Sequence, residues 1–168
     1  MNRPKSDEYA PYYKDYIDNV DNDVIDELET QASAFAGFIR SVPDDKGDYA
    51  YEAGKWTVKQ LLGHVIDTER IMTYRALCFA RNDSTGLPGF DENLYVENAH
   101  FNHRTLEELA EEFNLLRRSN LYFFRSLNDE EINRAGIANG KRMSVRALLF
   151  VIAGHVNHHR RIITERYL

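Results

Sequence analysis

Four stretches of helical periodicity constrain the fold of this chain more than any other feature of its sequence. The first predicted helix runs from about Asn22 to Arg40, and its apolar residues fall on one stripe along its length. The residues of that stripe are Val24, Ile25, Leu28, Ala32, Phe35 and Ile39. A turn-forming segment with proline, two aspartates and glycine, 43–47, ends this helix. An amphipathic helix of this kind buries one face, so we expect it to pack against other helices.

Capping residues mark the starts of three further helices. Thr57-Val58-Lys59-Gln60 fits the capping box, in which Ser or Thr is followed three residues later by Glu or Gln, and it opens a helix that runs to about Arg81. Thr105-Leu106-Glu107-Glu108 fits the same box and opens a third helix, to about Ser126. Ser144 is an N-cap for a fourth helix that continues to the C-terminus. The sequence therefore predicts an all-α fold, with a four-helix bundle as its architecture.

The connections between these helices differ in length. The segment from Asn82 to Arg104 exceeds the typical span of about 2–8 residues in a tight helical hairpin, so it could carry the chain across the end of the bundle. Asn139-Gly140 predicts a small hairpin before the fourth helix. Residues 1–20 contain four tyrosines and are expected to form an arm packed on the bundle. With 168 residues in all, we expect residues 1–168 to form a single domain.

The composition and net charge of the chain limit the kinds of binding partner that we expect for it. Hydrophobic residues make up 43% of the chain and charged residues 29%, which is typical of a globular protein. No apolar run approaches the roughly 18 residues of a membrane span, and the polar N-terminus shows no secretory signal. Cys78 is the only cysteine, which favours a reducing compartment, and the net charge of −6 argues against a nucleic-acid partner. The sequence therefore predicts a cytoplasmic protein with neither a nucleic-acid nor a membrane partner.

Two histidines on the fourth predicted helix favour a metal site. His155 and His159 are four residues apart, so they project from the same helix face one turn apart. On a helical wheel both fall inside the apolar arc, whereas His158 falls just outside its edge. A buried imidazole without a partner costs on the order of 1–3 kcal/mol, so each ring needs a hydrogen bond or a metal ion. Two hypotheses stay open: a clamp for a transition metal, or two core histidines satisfied by protein acceptors.

His64 is the candidate third ligand. It lies on the flank of the second helix's apolar stripe, about 10 Å from the start of that helix at a rise of 1.5 Å per residue. If the fourth helix runs antiparallel, His159 and His155 lie at about 12 and 18 Å, and His159 is nearly level with His64. If it runs parallel, the pair lies at about 16 and 22 Å. A three-histidine site would leave coordination positions open, as catalytic metal sites do.

Three other polar residues are candidates to line the site or to hydrogen-bond a ligand histidine. Glu69 falls in the middle of the second helix's apolar stripe, and a buried carboxylate must be paired or bound to metal. It could accept from a histidine ring, act as a proton acceptor, or pair with an arginine such as Arg75 or Arg146, and the ion pair is the favoured alternative. Asp67 and His158 are the other two candidates.

Two segments of the chain resemble the DinB/YfiT-like superfamily of metalloenzymes. Trp56–Asp67 resembles that family's tryptophan-cap-helix-histidine segment, and Ala153–His159 resembles its terminal His-x-x-His-His or His-x-x-x-His segment. With the four-helix layout, the resemblance covers nearly the whole chain. It implies an up-down-down-up bundle, frequent homodimers, and a divalent metal ion. The ion is nickel or zinc in many members, and the resemblance places it on His64, His155 and His159.

The resemblance also implies a class of chemistry. Some members resemble thiol S-transferases that use a low-molecular-weight thiol such as bacillithiol or mycothiol, and a related branch performs mycothiol-dependent isomerisation. A metal with open positions can favour the thiolate form of a thiol, or can activate water for hydrolysis. The sequence thus predicts a metal-dependent enzyme with a small-molecule substrate. A non-catalytic metal- or ligand-binding stress protein and a dimerisation module with structural histidines remain the alternatives.

Overall fold

Four long helices build the molecule, and shorter elements connect them. The computed structural model describes residues 1–21 and 23–168. The helices are α1 (Lys14–Asp18), α2 (Val24–Ser41), α3 (Val58–Ala80), α4 (Glu92–Asn98), α5 (Leu106–Ser126), α6 (Asp129–Asn133) and α7 (Val145–Arg166). Two strands, β1 (Ala135–Ala138) and β2 (Lys141–Ser144), pair as an antiparallel hairpin before α7. Single 3-10 turns cover Pro11–Tyr13, Asp44–Lys46 and Phe101–His103.

The long helices begin where local capping chemistry places them. Thr57 Oγ1 accepts from the backbone N–H of Gln60 at 3.2 Å, and Gln60 returns a bond to the Thr57 N–H at 2.9 Å. Thr105 forms the same capping box, and Ser144 caps α7, so these three predicted starts are confirmed. The predicted start of the first helix, Asn22, lies outside the described residues. The structure begins that helix at Val24.

Contacts at the helix ends fix the directions of three helices. Arg40 at the end of α2 forms a bidentate ion pair with Glu107 at the start of α5 (2.8 and 2.9 Å), so α2 and α5 are antiparallel. α3 and α5 are parallel, because contacts join the segments that precede them and the segments that follow them. Thr57 Oγ1, directly before α3, donates at 2.7 Å to Asn102 Oδ1 in the 3-10 turn that precedes α5. Arg81, directly after α3, forms an ion pair at 2.7 Å with Glu131 of α6, the short helix that follows α5.

The direction of α7 completes the bundle. Near its end, the Tyr167 hydroxyl donates to the carbonyl oxygen of Trp56 at 2.8 Å, just before α3 begins, so α7 and α3 are antiparallel. In chain order the four long helices therefore run up, down, down and up, which confirms the implied topology and the antiparallel alternative. α7 packs most extensively on α3, and α2 on α5.

The short elements were the least predictable part of the fold. In the expected N-terminal arm, Ile17 and Val20 are buried and α1 packs on α7. The hairpin is confirmed, and its Asn139 and Gly140 have φ values of 51° and 69°, the left-handed conformations that a tight hairpin turn requires. Helices α1, α4 and α6 were not predicted, because they are too short to show helical periodicity. Among the described residues, no helix combines the length and the apolar character needed to cross a membrane.

A polar layer separates two apolar clusters in the interior. One cluster joins the arm, the hairpin and the adjoining ends of α3, α5 and α7, and the other joins the opposite half of the bundle. Between them each long helix contributes a buried polar side chain: Gln31 from α2, Glu69 from α3, Arg117 from α5 and His155 from α7. The candidate site lies in this layer.

Candidate metal centre

The structure brings together the three histidines singled out in the sequence. His155 Nε2 lies 3.1 Å from His64 Nε2 and 3.0 Å from His159 Nε2. All three side chains are buried, and one nitrogen from each lies within 4.8 Å of the others. Imidazole–metal bonds of 2.0–2.1 Å place the nitrogens of a shared ion about 2.9–3.4 Å apart. Both measured separations fall in this range, so the cluster fits the spacing of ligands on one ion.

Hydrogen bonding within the cluster cannot satisfy these nitrogens. His155 Nε2 faces two other Nε2 atoms, and a hydrogen bond needs one donor and one acceptor, so His155 cannot serve both neighbours well. His159 Nδ1 is also buried and has no hydrogen-bond partner among residues 1–21 and 23–168. A buried polar atom left unpaired costs about 1–3 kcal/mol. A divalent ion would accept all three Nε2 lone pairs, so these three nitrogens fit a metal, although the ion would not reach His159 Nδ1.

The hydroxyl of Thr68 lies beside the ring of His64. It follows His64 by one turn of α3, and its Oγ1 lies 3.5 Å from His64 Nδ1. A proton on Nδ1 would point toward this oxygen, and the lone pair of Nε2 would then face the other two histidines. Contacts of this kind with the remote nitrogen commonly fix the tautomer of a metal-binding histidine.

Burial keeps the three rings uncharged. Burial and, to a lesser extent, the nearby His158 lower the pKa of His64 to about 4. Burial also holds the pKa of His155 well below its usual range, and the neighbouring His159 and His64 add to this effect. The pKa of His159 is lowered in the same way, by burial first and His64 second. At neutral pH each ring is in the neutral form that binds metal.

Glycines beside two of the histidines allow other segments to press against the helices. A Cβ on Gly63 would overlap the ring of Phe101, and one on Gly154 would overlap the backbone carbonyl of Tyr16. Gly63 therefore allows the connection between α3 and α5 to pack closely on α3. Gly154 allows the arm to pack closely on α7. Close packing, and not space for a ligand, accounts for both glycines.

A cavity of about 190 Å³ opens beside the cluster and reaches His64 and His155. Three tyrosines of the arm, Tyr12, Tyr13 and Tyr16, line part of its wall. The Tyr16 ring stands edge-on to His155, with 5.5 Å between the ring centroids. On the other side, the Trp56 ring lies 4.9 Å from the His64 ring. The sequence did not identify the tyrosines as site residues, although their concentration in residues 1–20 was the available signal.

The remaining candidates lie outside the cluster. His158 is half-buried, and its ring packs edge-on against Tyr16 with 5.1 Å between centroids. Asp67 forms an ion pair with Arg70 at 3.2 Å, and it makes no hydrogen bond to His64 in the described part of the chain. Neither side chain joins the three nitrogens, as the helical wheel predicted for His158.

Glu69 forms a buried ion pair, the favoured alternative, but with a partner that was not predicted. Its two carboxylate oxygens accept from Arg117 Nε and Nη2 at 2.8 and 2.9 Å, and Asn120 donates to the same carboxylate at 3.1 Å. The expected partners, Arg75 and Arg146, were wrong, because the register of α5 against α3 brings Arg117 opposite Glu69. The signal in the sequence was Arg117 itself, which falls on the apolar stripe of α5. No histidine ring bonds Glu69 among the residues that the structure describes.

The fold and the cluster together define a class: an up-down-down-up four-helix bundle with three buried histidines converging between two antiparallel helices. The model of the DinB superfamily matches residues 27–163, most of the sequence. The chain belongs to the DinB superfamily.

One solved structure shows how closely this fold is shared. YfiT from Bacillus subtilis matches with a TM-score of 0.73 over 98% of this chain and 90% of that chain, at 19% sequence identity. It is described as "a probable metal-dependent hydrolase with an unusual four-helix bundle topology". At this identity the likeness establishes the fold alone. No curated protein matches the sequence.

Proposed function

We propose that the chain is a metal-dependent enzyme in which His64, His155 and His159 hold one divalent ion, nickel or zinc, beside a cavity that takes a small molecule. The observation that carries this proposal is the convergence of three buried, neutral imidazoles, in which His155 Nε2 lies 3.1 and 3.0 Å from the Nε2 atoms of the other two. Imidazole ligands suit both metals. When bound, the ion would act as a Lewis acid that favours the deprotonated form of a thiol or of water near neutral pH.

The chain's own residues would shape the reaction space. Trp56 and Tyr16 cover the rings of His64 and His155, so the cavity offers a substrate a partly enclosed environment. Burial raises the pKa of Tyr16, and the negative charge of Glu92 raises it further. The Tyr16 hydroxyl therefore keeps its proton at neutral pH and can donate a hydrogen bond to a substrate oxygen.

Two reactions are candidates for this site. Thiol transfer, with a low-molecular-weight thiol as co-substrate, is the reaction that we propose, and it is supported by the sequence resemblance. Hydrolysis is the second candidate, and the description of YfiT as a probable metal-dependent hydrolase favours it. A non-catalytic metal-binding role is less well supported, because the cavity provides room for a substrate directly beside two of the three histidines.

Metal content and turnover test the proposal together. Elemental analysis of the purified protein should find about one divalent ion per chain, and His159→Leu should lose it. The metal-loaded protein should accelerate the reaction of small thiols with monochlorobimane, or the hydrolysis of p-nitrophenyl acetate, and His159→Leu should not. Turnover that survives complete removal of the metal from the wild-type protein would contradict the proposal.

Two further expectations from the sequence belong to the same proposal. We propose that the protein forms a homodimer and resides in the cytoplasm. Its only cysteine, Cys78, is buried, which is consistent with a reducing compartment. Sedimentation equilibrium of the full chain would distinguish a dimer from a monomer.

A further inference from the structure

We infer that the cavity beside the three histidines binds an anionic group of the substrate, a carboxylate, on the guanidinium of Arg75. The inference rests on the proposed function only in placing the reacting group at the histidines. It adds a substrate class: small molecules that carry a carboxylate at one end.

Arg75 is a buried cation without a counter-ion. Its side chain lines the cavity and is 3% exposed, and no carboxylate pairs with it among residues 1–21 and 23–168. Its Nη2 donates to the carbonyl oxygen of Pro88 at 2.9 Å, and its Nη1 lies 3.6 Å from the sulfur of Met72. A guanidinium has five N–H donors, so these contacts leave donors for a ligand. Arg117 is also buried but differs from Arg75, because two of its N–H groups donate hydrogen bonds to the carboxylate of Glu69.

The position of Arg75 on α3 directs it into the cavity. His64, Thr68, Met72 and Arg75 follow one another at helical spacing, and all four line the cavity. The contact with Met72 turns the guanidinium back along α3, toward the three histidines. About 12 Å of helix separates His64 from Met72 at 1.5 Å per residue. A ligand that spans this distance is short and extended, with its anionic end on Arg75 and its reacting end at the histidines.

The neighbouring groups leave the charge of Arg75 uncompensated. Burial raises the pKa of Tyr13 well above its usual value, and the nearby guanidinium of Arg75 opposes this only in part, so Tyr13 stays neutral. Glu92 also lines the cavity, but it is exposed and forms no ion pair with Arg75 within the described ranges. A buried charge is costly unless it is paired, so a carboxylate that enters the cavity would meet a site already prepared for it.

The cavity wall also selects the body of the ligand. The guanidinium lies 5.9 Å from the centroid of the Phe90 ring, and Phe90 and the arm tyrosines give the cavity aromatic sides. A flat apolar group attached to a carboxylate fits this lining. 3-Phenylpropionate is therefore a suitable probe, and 3-phenylpropanamide is its neutral isostere.

Calorimetric titration of the full chain with the two probes tests the inference, both metal-free and zinc-loaded. Hydrogen bonds to charged groups are stronger than those to neutral groups, so the carboxylate should bind about tenfold or more tightly than the amide in both forms. Arg75→Gln should remove this preference, and Arg75→Lys should keep part of it. The matched control is Arg81→Gln, which removes an exposed arginine next to the end of α3, outside the cavity, and should leave the preference for the carboxylate unchanged.

The titrations of the metal-free protein distinguish this inference from the proposed function. A carboxylate preference without metal supports the role of Arg75 even if the protein never binds an ion. A preference that appears only with zinc and survives in Arg75→Gln would place the anion on the metal and overturn the inference. Equal binding of the two probes to the wild-type protein would overturn it as well. If Arg75→Gln does not fold, NMR of the wild-type protein decides, because only the carboxylate should shift the Nε–Hε resonance of Arg75.

Discussion

The Glu69–Arg117 pair and the three-histidine cluster lie in the same polar layer, yet their polar atoms are satisfied in opposite ways. Both oxygens of Glu69 accept hydrogen bonds from Arg117, which in turn donates to Gln31 Oε1 at 2.8 Å. In the histidine cluster three nitrogens face one another, and His159 Nδ1 has no partner in the described part of the molecule. The hydrogen bonding of the ion pair is therefore complete within the protein, whereas the histidine cluster contains nitrogens that the protein does not satisfy.

This difference separates structural from functional burial of polar groups. A buried ion pair with full hydrogen bonding is self-sufficient, and breaking it strands a charge. A buried group that lacks partners lowers stability, and natural proteins keep such groups chiefly where they serve a function. The comparison therefore assigns Glu69 and Arg117 to the architecture and supports the metal-binding role that we propose for the histidines. The following substitutions test this division.

Arg117→Met should have the largest effect. It leaves the carboxylate of Glu69 buried and unpaired, so the free energy of unfolding should fall by about 3–5 kcal/mol. Urea denaturation measures this loss, and zinc titration under native conditions should show an unchanged affinity. The double variant Glu69→Leu/Arg117→Met should recover most of the stability, because an apolar pair of similar volume replaces a buried ion pair at little cost. A loss below about 1 kcal/mol in the single variant would contradict the assignment of this pair to the architecture.

His159→Leu should have the opposite effects, a large loss of metal affinity with no loss of stability. Loss of a group that only supports a metal ligand typically costs about 10–100-fold in affinity, so loss of the ligand itself should exceed about 100-fold. The metal-free variant should be as stable as the wild-type protein or more so, because the substitution removes an unpaired buried nitrogen. Zinc titration and thermal unfolding of the metal-free protein measure the two quantities. A stability loss as large as that of Arg117→Met would instead make His159 a structural residue.

Gly154→Ala tests whether the arm packs closely against α7 beside the histidines. The added Cβ would overlap the carbonyl of Tyr16 and displace the arm from α7, at a cost of about 1–3 kcal/mol, as for other overpacked positions. Hydrogen exchange should show faster exchange in α1 and little change in α3. Gly37→Ala is the matched control, since its Cβ would meet open space on the exposed side of α2, and it should stabilise the protein by up to about 1 kcal/mol. Equal protection of α1 in both variants would argue against the close contact at Gly154.

His158→Ala should have the smallest effect. The ring of His158 is half-buried, packs against Tyr16 and lies outside the cluster. Metal affinity should stay within about tenfold of the wild-type value, below the usual effect of losing a group that bonds a ligand. If zinc titration instead showed that His158→Ala loses the metal and His159→Leu keeps it, His155 and His158 would be the ligands.

The sequence predicted those features that depend on local chemistry. The starts of α3, α5 and α7 could be identified because a cap is formed by residues three positions apart. The inward orientation of His155 and His159 could be predicted because helical periodicity is also local. The partner of Glu69 could not be identified, because it depends on how α5 is staggered against α3. The role proposed for Arg75 could not be predicted either, since it depends on the connection after α3 folding back to bring Pro88 and Phe90 against it.

A zinc-loaded crystal structure, with the ion located by anomalous scattering, tests the central claim most directly. It should show one ion about 2.0–2.1 Å from the Nε2 atoms of His64, His155 and His159, with the Glu69–Arg117 pair unchanged. An ion bound elsewhere, or three rings that turn apart to bond separate protein acceptors, would contradict the account.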